Sequence, residues 1–337
     1  MAVDGLFDDA SLGPDGAAAV MQTASAFMAS KHLFVASELG LFQHLADGPL
    51  DLAALAAKAG APARTIRIIA DAVVSLGFIE RQGAHYRNTP VAQALLSGQG
   101  SRDLRPLLRM FDRITYPSWE ELIRSVRTGQ PTRAALDTEN QRVLSEGIEA
   151  ITRPAADALP HRYDFSQHRR LLDLGGGTGS FLCSVLQHHP HITGTLVDIP
   201  AVTELARERV RRAGLTERAA IVAGDILASE LPRGHDVMLI ANVVHLMGPA
   251  RNKMLFEHAR NSIVEGGRLL LVDFFTDPTH TDPLFAALMA GTFLIGFGEG
   301  DVYSGDDVAE WLEGTGWRSL GSQTLAGDAK LLVAAPA

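Results

Sequence analysis

The run LLDLGGGTGSF, residues 171–181, closes a hydrophobic stretch at Asp173, turns through Gly175, Gly176, Gly177 and Gly179, and opens into the helical composition SFLCSVLQHH. A strand, a glycine turn and a helix let the backbone bend tightly and come close to a ligand, because glycine has no Cβ and accepts positive φ. Taken alone, such a turn also suits dinucleotide enzymes. Three details narrow it. The spacing is Gly-x-Gly-x-Gly rather than Gly-x-Gly-x-x-Gly, and Asp173 stands two residues before the first glycine. Asp198 ends the next apolar run, about 20 residues on, where a carboxylate can accept both ribose hydroxyls. A further acid, Asp225, ends the run VAGDI. Nicotinamide sites need no acid there, whereas an adenine amino group would find an acceptor in Asp225 and an apolar neighbour in Ile226. Each aspartate has a purely local reading as well: Asp173 and Asp225 as helix caps, Asp198 before Ile-Pro as the start of a turn. Their shared position at C-terminal strand ends, where open α/β sheets bind ligands, favours the ligand.

These motifs, DLGGGTG at 173–179, VDIP at 197–200, AGDI at 223–226, NVVH at 242–245 and EGGRLLLVD at 265–273, carry a resemblance to the S-adenosylmethionine-dependent methyltransferases. The chain is most similar to the O-methyltransferase group with an N-terminal winged-helix dimerisation domain. That group includes plant phenylpropanoid enzymes and bacterial enzymes that tailor polyketides and pigments in secondary metabolism. The likeness extends over nearly the whole chain from about residue 20. It implies S-adenosyl-L-methionine as cofactor, with Gly175 and Gly177 against its methionine part, Asp198 on ribose, and Asp225 with Ile226 on adenine. Asp173 and Asn242 fall in the same cofactor set. It further implies that His245 is the general base for the acceptor hydroxyl and that Asp273 orients it and stabilises its protonated form. Alignment and the removal of one proton are then most of the catalysis, and imidazole exchanges a proton near neutral pH. The sequence departs from the group at Leu246, where Asp is frequent, at Val302, where Glu is common, and at Ala241, where plant members carry Lys. Glu299 and Asp301 lie close to the second of these.

The expected reaction is methyl transfer to a hydroxyl of a small aromatic or polyketide-like metabolite. The alternative on the same fold is methylation of carbon or sulfur, or a non-methylating reaction that uses the sulfonium charge. The acceptor wall is expected from Phe111 and Tyr116, in a cluster with Met110 and Trp119, and from Phe285, Met289, Thr292, Phe293 and Phe297. Val143 and Gly147 match positions where plant members carry Phe and Met, which implies a wider pocket. No metal is expected, and His280 is the single candidate for the second histidine with which some relatives of this fold bind one.

The elements that position these residues follow from hydrophobic pattern. Apolar runs alternating with helical stretches after residue 161 predict a parallel sheet flanked by helices. The last two runs, WRSLGSQTL and KLLVAAPA, are separated only by AGDA, so they must form an antiparallel hairpin, read as one reversed edge element. The fold class is therefore an α/β Rossmann-like methyltransferase fold with an antiparallel last strand, preceded by a mainly α winged-helix domain. Asp51 and Gly60 bracket a short helix, Pro62 starts a second, and FIER and HYRNTP flank the turn QGA as a wing. The Ala-rich stretch 17–46 is apolar on several faces and calls for a second packing partner, such as another subunit. The expected division is 1–100 for dimerisation, 101–160 for a helical linker or lid, and 161–337 for the cofactor domain, with residues 1–16 as a mobile tail.

Composition sets the outer bounds. The chain has 337 residues, 46% of them hydrophobic, and a formal net charge of −9, which argues against a bulk electrostatic nucleic-acid binder. The second helix of the winged-helix pattern carries only Arg64 and Arg67, so dimerisation is preferred over DNA recognition. One cysteine, Cys183, excludes an internal disulfide. No apolar run is long enough for a membrane span, and the acidic N-terminus is unlike a secretion signal. The expectation is a cytoplasmic homodimer acting on a small molecule.

Overall fold

Local signals delimit the N-terminal elements in the computed structural model, which describes residues 16–100, 102–228 and 230–337. The tail expected over 1–16 lies, apart from Gly16, outside the described residues. Asp51 accepts a hydrogen bond from the Ala54 N–H at 2.8 Å and caps the helix Leu52–Ala59, which Gly60 closes at φ 65°. Pro62 precedes the helix Ala63–Ser75, whose Ile66, Ala70 and Val73 point inward at helical spacing. Strands β1 (Leu50–Asp51), β2 (Ile79–Gln82) and β3 (His85–Asn88) form an antiparallel sheet in the order β1-β3-β2. The helix–turn–helix and wing are thus present, with short β1 added. The Ala-rich stretch is one helix, Gly16–Glu38, and a short second one, Leu41–His44, separated by Gly40 at φ 70°. The first helix leaves Val20, Met21, Phe27 and Met28 about half exposed or more, between 49% and 68%.

Among the described residues, 16–114 with Arg142–Ala150 form one compact unit, and Thr115–Gln141 with Ile151–Ala337 form the other. The stretch 101–160 is therefore shared between them. In the first unit, Gly147 of the helix Thr138–Arg162 lies against Met110: a Cβ there would sit 2.4 Å from the Met110 Cβ. The wider pocket expected at Val143 and Gly147 is corrected by this contact. Val143 is buried, and the space beside Gly147 is filled by Met110.

The second unit is built on seven strands: β4 (Arg170–Leu174), β5 (Thr193–Asp198), β6 (Ala219–Ala223), β7 (His235–Ala241), β8 (Ile263–Phe274), β9 (Trp317–Ala326) and β10 (Ala329–Pro336). Their order is β6-β5-β4-β7-β8-β10-β9. The first five are parallel, and Val222, Val197, Leu174, Ile240 and Leu271 stand in one row across them. This register brings the C-terminal strand ends to a single edge. β10 pairs antiparallel with both β8 and β9. The reversed strand therefore lies inside the sheet and β9 is the outer one, which corrects the reversed edge element expected above: hairpin spacing fixes the direction of the pair, not its order. The helix Gly305–Glu313 leads the chain to that outer position before the turn at Gly327 returns it. Among the described residues no helix is long and apolar enough to cross a membrane.

Replacing Gly147 with alanine should lower stability by about 1–3 kcal/mol, because the new methyl meets a side-chain base that cannot swing away. A fall in the urea midpoint of the purified protein would show it; an unchanged midpoint would mean that the two segments separate without cost.

Candidate active site

The glycine turn between β4 and the helix Ser180–His188 holds Gly175, Gly177 and Gly179 at φ 69°, 56° and 81°, in the left-handed region that side chains resist. A Cβ on Gly175 would lie 2.7 Å from Val243, whereas one on Gly177 would meet nothing within 4 Å. Gly176 has a different reason to be glycine: its Cβ would fall 2.6 Å from both Asp173 Oδ2 and Leu196 Cδ1. Asp173 is fully buried, and neither carboxyl oxygen makes a hydrogen bond of normal geometry. Burial, reinforced by the nearby Asp198 charge and opposed only by the Leu182 N–H, pushes its pKa up to about 7. Asp198 accepts from Gly177 N–H at 2.7 Å through Oδ2 and from Ile199 N–H at 2.7 Å through Oδ1. Burial nonetheless raises its pKa above the ordinary carboxylate value. Among the described residues no cation pairs with either acid. Two neighbouring acids, open backbone at Gly177 and unused acceptor lone pairs form a cradle that fits a cationic ligand bearing hydroxyls.

Gly224 N–H donates to Asp198 O at 2.9 Å, tying the end of β6 to that of β5. Beyond it, Asp225 accepts from Leu227 N–H at 2.9 Å in a turn rather than at the helix start its sequence position suggested, and its side chain is exposed. Ile226 is half-buried, and its Cδ1 would lie 3.7 Å from a Cβ on Gly175. Asn242, just past β7, sits at φ 57° and donates its N–H to Val272 O at 2.8 Å. The structure therefore gathers Asp173, Gly175, Gly177, Asp198, Asp225, Ile226 and Asn242 along one edge.

His245 follows in the 3-10 turn Val244–Leu246. Its Nδ1 lies 2.7 Å from Asp273 Oδ1, and both side chains are buried. Against a carboxylate acceptor Nδ1 would donate, which would leave Nε2 with its lone pair. The same Oδ1 accepts from Phe274 N–H at 2.9 Å. Phe293 stacks on the imidazole at 4.1 Å between centroids and Phe274 lies at 5.1 Å. Leu246 and Val302, the two departures nearest His245, pack in the same apolar cluster with Ala286, Phe293 and Met289. Sequence reading missed the residues that brace the turn. Asn252 donates from Nδ2 to Val244 O and Met247 O, each at 2.9 Å, and Tyr303 OH donates to Met247 O at 2.7 Å. Asp301 N–H donates to His245 O at 3.1 Å. A buried Asn on a mixed helix face leaves no readable pattern. Phe274, directly after Asp273, was legible as an aromatic neighbour and was not singled out.

Of the expected acceptor wall, Met289, Thr292 and Phe293 share the helix Leu284–Phe297. Trp119 Nε1 donates to Thr292 Oγ1 at 3.3 Å. Tyr116 is half-buried at the start of the helix Tyr116–Trp119, and Phe111 is half-buried in the π-helical turn Phe111–Thr115 of the first unit. His280 stands at φ 60°, with Nε2 3.4 Å from Asp307 Oδ2.

Residues 127–318 match the O-methyltransferase domain, and 21–98 match the O-methyltransferase dimerisation domain. The chain is 34% identical over 292 residues to 3-hydroxy-5-methyl-1-naphthoate 3-O-methyltransferase of Streptomyces sahachiroi, covering 84% of each chain. It is 27% identical to the tetracenomycin polyketide synthesis 8-O-methyl transferase TcmO of Streptomyces glaucescens, over 93% of this chain and 95% of that one. Among solved structures it resembles the mitomycin 7-O-methyltransferase MmcR, with a TM-score of 0.81 and 26% identity over 95% of this chain and 97% of that one.

The raised pKa of Asp173 makes a pH-dependent stability. Its carboxyl ionises near 4 in the unfolded chain and about 7 in the folded one, so the folded state holds the extra proton between those values. The contribution is complete below about 4 and is lost as pH rises through about 7. Ligand-free Asp173→Asn should therefore melt close to the wild type at pH 5 and above it at pH 8. Equal differences at both pH values would show that the buried charge is accommodated.

Proposed function

The chain belongs to the O-methyltransferase family, and on that basis we propose that it methylates a hydroxyl of a small aromatic metabolite, with S-adenosylmethionine as donor and His245 as general base. The observation that carries the reading is the buried His245–Asp273 pair at the same strand-end edge as the two cation-free carboxylates. The donor, when bound, supplies a sulfonium-activated methyl group. Asp198 holds the ribose hydroxyls, Asp173 faces the positive end, Gly175 and Gly177 give the backbone close approach, and Asp225, Ile226 and Asn242 complete the cofactor edge. His245 takes the acceptor's hydroxyl proton at Nε2, and Asp273 stabilises the imidazolium through Nδ1–H. Phe293 and Phe274 exclude water around the ring and offer flat faces to an aromatic acceptor. Tyr116, Met289 and Thr292 extend the acceptor wall.

The named substrate of the Streptomyces sahachiroi relative is a hydroxylated naphthoate, which supports a fused aromatic ring here. A thioether acceptor would give a buried His–Asp pair no proton to remove, so a hydroxyl is preferred over a thioether. The match to the dimerisation domain and the exposed apolar side chains of the helix Gly16–Glu38 support a homodimer.

Methyl transfer from labelled donor to hydroxynaphthoates and hydroxylated polyketide aromatics tests the reaction. With an accepted substrate, His245→Ala should lower kcat by about 10²–10⁴-fold while S-adenosylhomocysteine binding persists. An alanine variant that keeps full rate would remove His245 from the chemistry. Phe27→Asp should convert the dimer to a monomer in light scattering, and a dimer unchanged by that charge would place the interface elsewhere.

A further inference from the structure

The helix Leu284–Phe297 makes two different contacts along one face. Phe293 stacks on His245, and Gly296 and Phe297, three and four residues on, share its face one turn further along. That second position is covered by Arg133. Its guanidinium carbon lies 5.1 Å from the Phe297 ring centroid, and a Cβ on Gly296 would come within 3.3 Å of it. The backbone fixes this placement. Thr132 and Arg133 N–H both donate to Ile295 O, at 3.0 and 3.1 Å, and Pro131 Cδ would lie 2.7 Å from a Cβ on Gly298.

The guanidinium is half-buried, and among the described residues it meets no carboxylate and no hydrogen-bond acceptor. Burial alone lowers its pKa, with no acid to oppose the shift. Arg105 shows the usual solution in this chain: two of its nitrogens donate to Asp103 at 2.8 and 2.7 Å. Arg133 keeps five donors in a planar fork, a shape that matches a carboxylate. A partly desolvated cation without a protein anion is costly, and a bound anion offsets that cost.

We propose that Arg133 binds a carboxylate carried by the aromatic acceptor, so that the substrates are hydroxylated aromatic acids. This assignment rests on the proposed function for the position of the acceptor hydroxyl beside His245. The ring then lies along the helix face, with its hydroxyl at the imidazole and its acid toward the guanidinium that covers the next turn. Arg133 is a specificity residue and takes no part in the proton transfer.

Calorimetry with the full-length protein and S-adenosylhomocysteine tests it, using 3-hydroxy-1-naphthoate and its carboxylate-free counterpart 2-naphthol. The wild type should bind the acid at least about tenfold more tightly than the naphthol. That ratio should collapse toward one in Arg133→Met and recover in part in Arg133→Lys. A wild-type ratio near one overturns the assignment. So does an Arg133→Met variant that weakens both ligands equally, since Arg133 would then merely secure the helix end. Methyl transfer measured in parallel separates the two readings: naphthoate bound through Arg133 but never methylated would sustain the subsite and overturn methyl transfer to its hydroxyl.

Discussion

Two carboxylates that no cation answers among the described residues dominate the strand-end edge of the second unit. Asp173 sits inside the central strand β4, and Asp198 ends its neighbour β5. Parallel pairing in register leaves no freedom to part them, because Leu174 stands opposite Val197. Without a ligand, the arrangement is unfavourable: burial holds one acid protonated near neutral pH and raises the other. Proteins tolerate such local conflict where binding resolves it. A cation placed between these groups turns mutual repulsion into attraction, and a cofactor with a sulfonium and an ammonium group has that charge. Gly176 belongs to the same constraint. Its missing side chain gives Asp173 room to sit beside the turn rather than providing ligand contact.

The His245–Asp273 end of that edge is built differently. His245 and Asp273 lie among Phe274, Phe293, Leu246 and Val302, where an uncompensated charge would be costly. Leu246 and Val302 pack this wall with apolar side chains. The turn that carries His245 is held by Asn252, Tyr303 and the Asp301 N–H.

The sequence makes legible what short-range rules govern. Asp51 and Gly60 mark a helix because a cap and a left-handed residue act within one turn. The strand-end aspartates stand together because parallel strands in register must end together. Where long-range packing decides, the reading fails or runs out. Gly147, taken as open space, is pressed against Met110, a contact between helices whose approach no pattern encodes. β10 inserts between β8 and β9, although hairpin length fixes only the direction of the pair and not which partner lies inside. Arg133 is the extreme case. It lies in an irregular stretch with no motif, and its place is set by Ile295 O and Phe297, more than 150 residues later. An arginine in such a loop reads as a solvated surface charge by default, and only the meeting of that loop with the helix end reveals a half-buried cation without a protein anion.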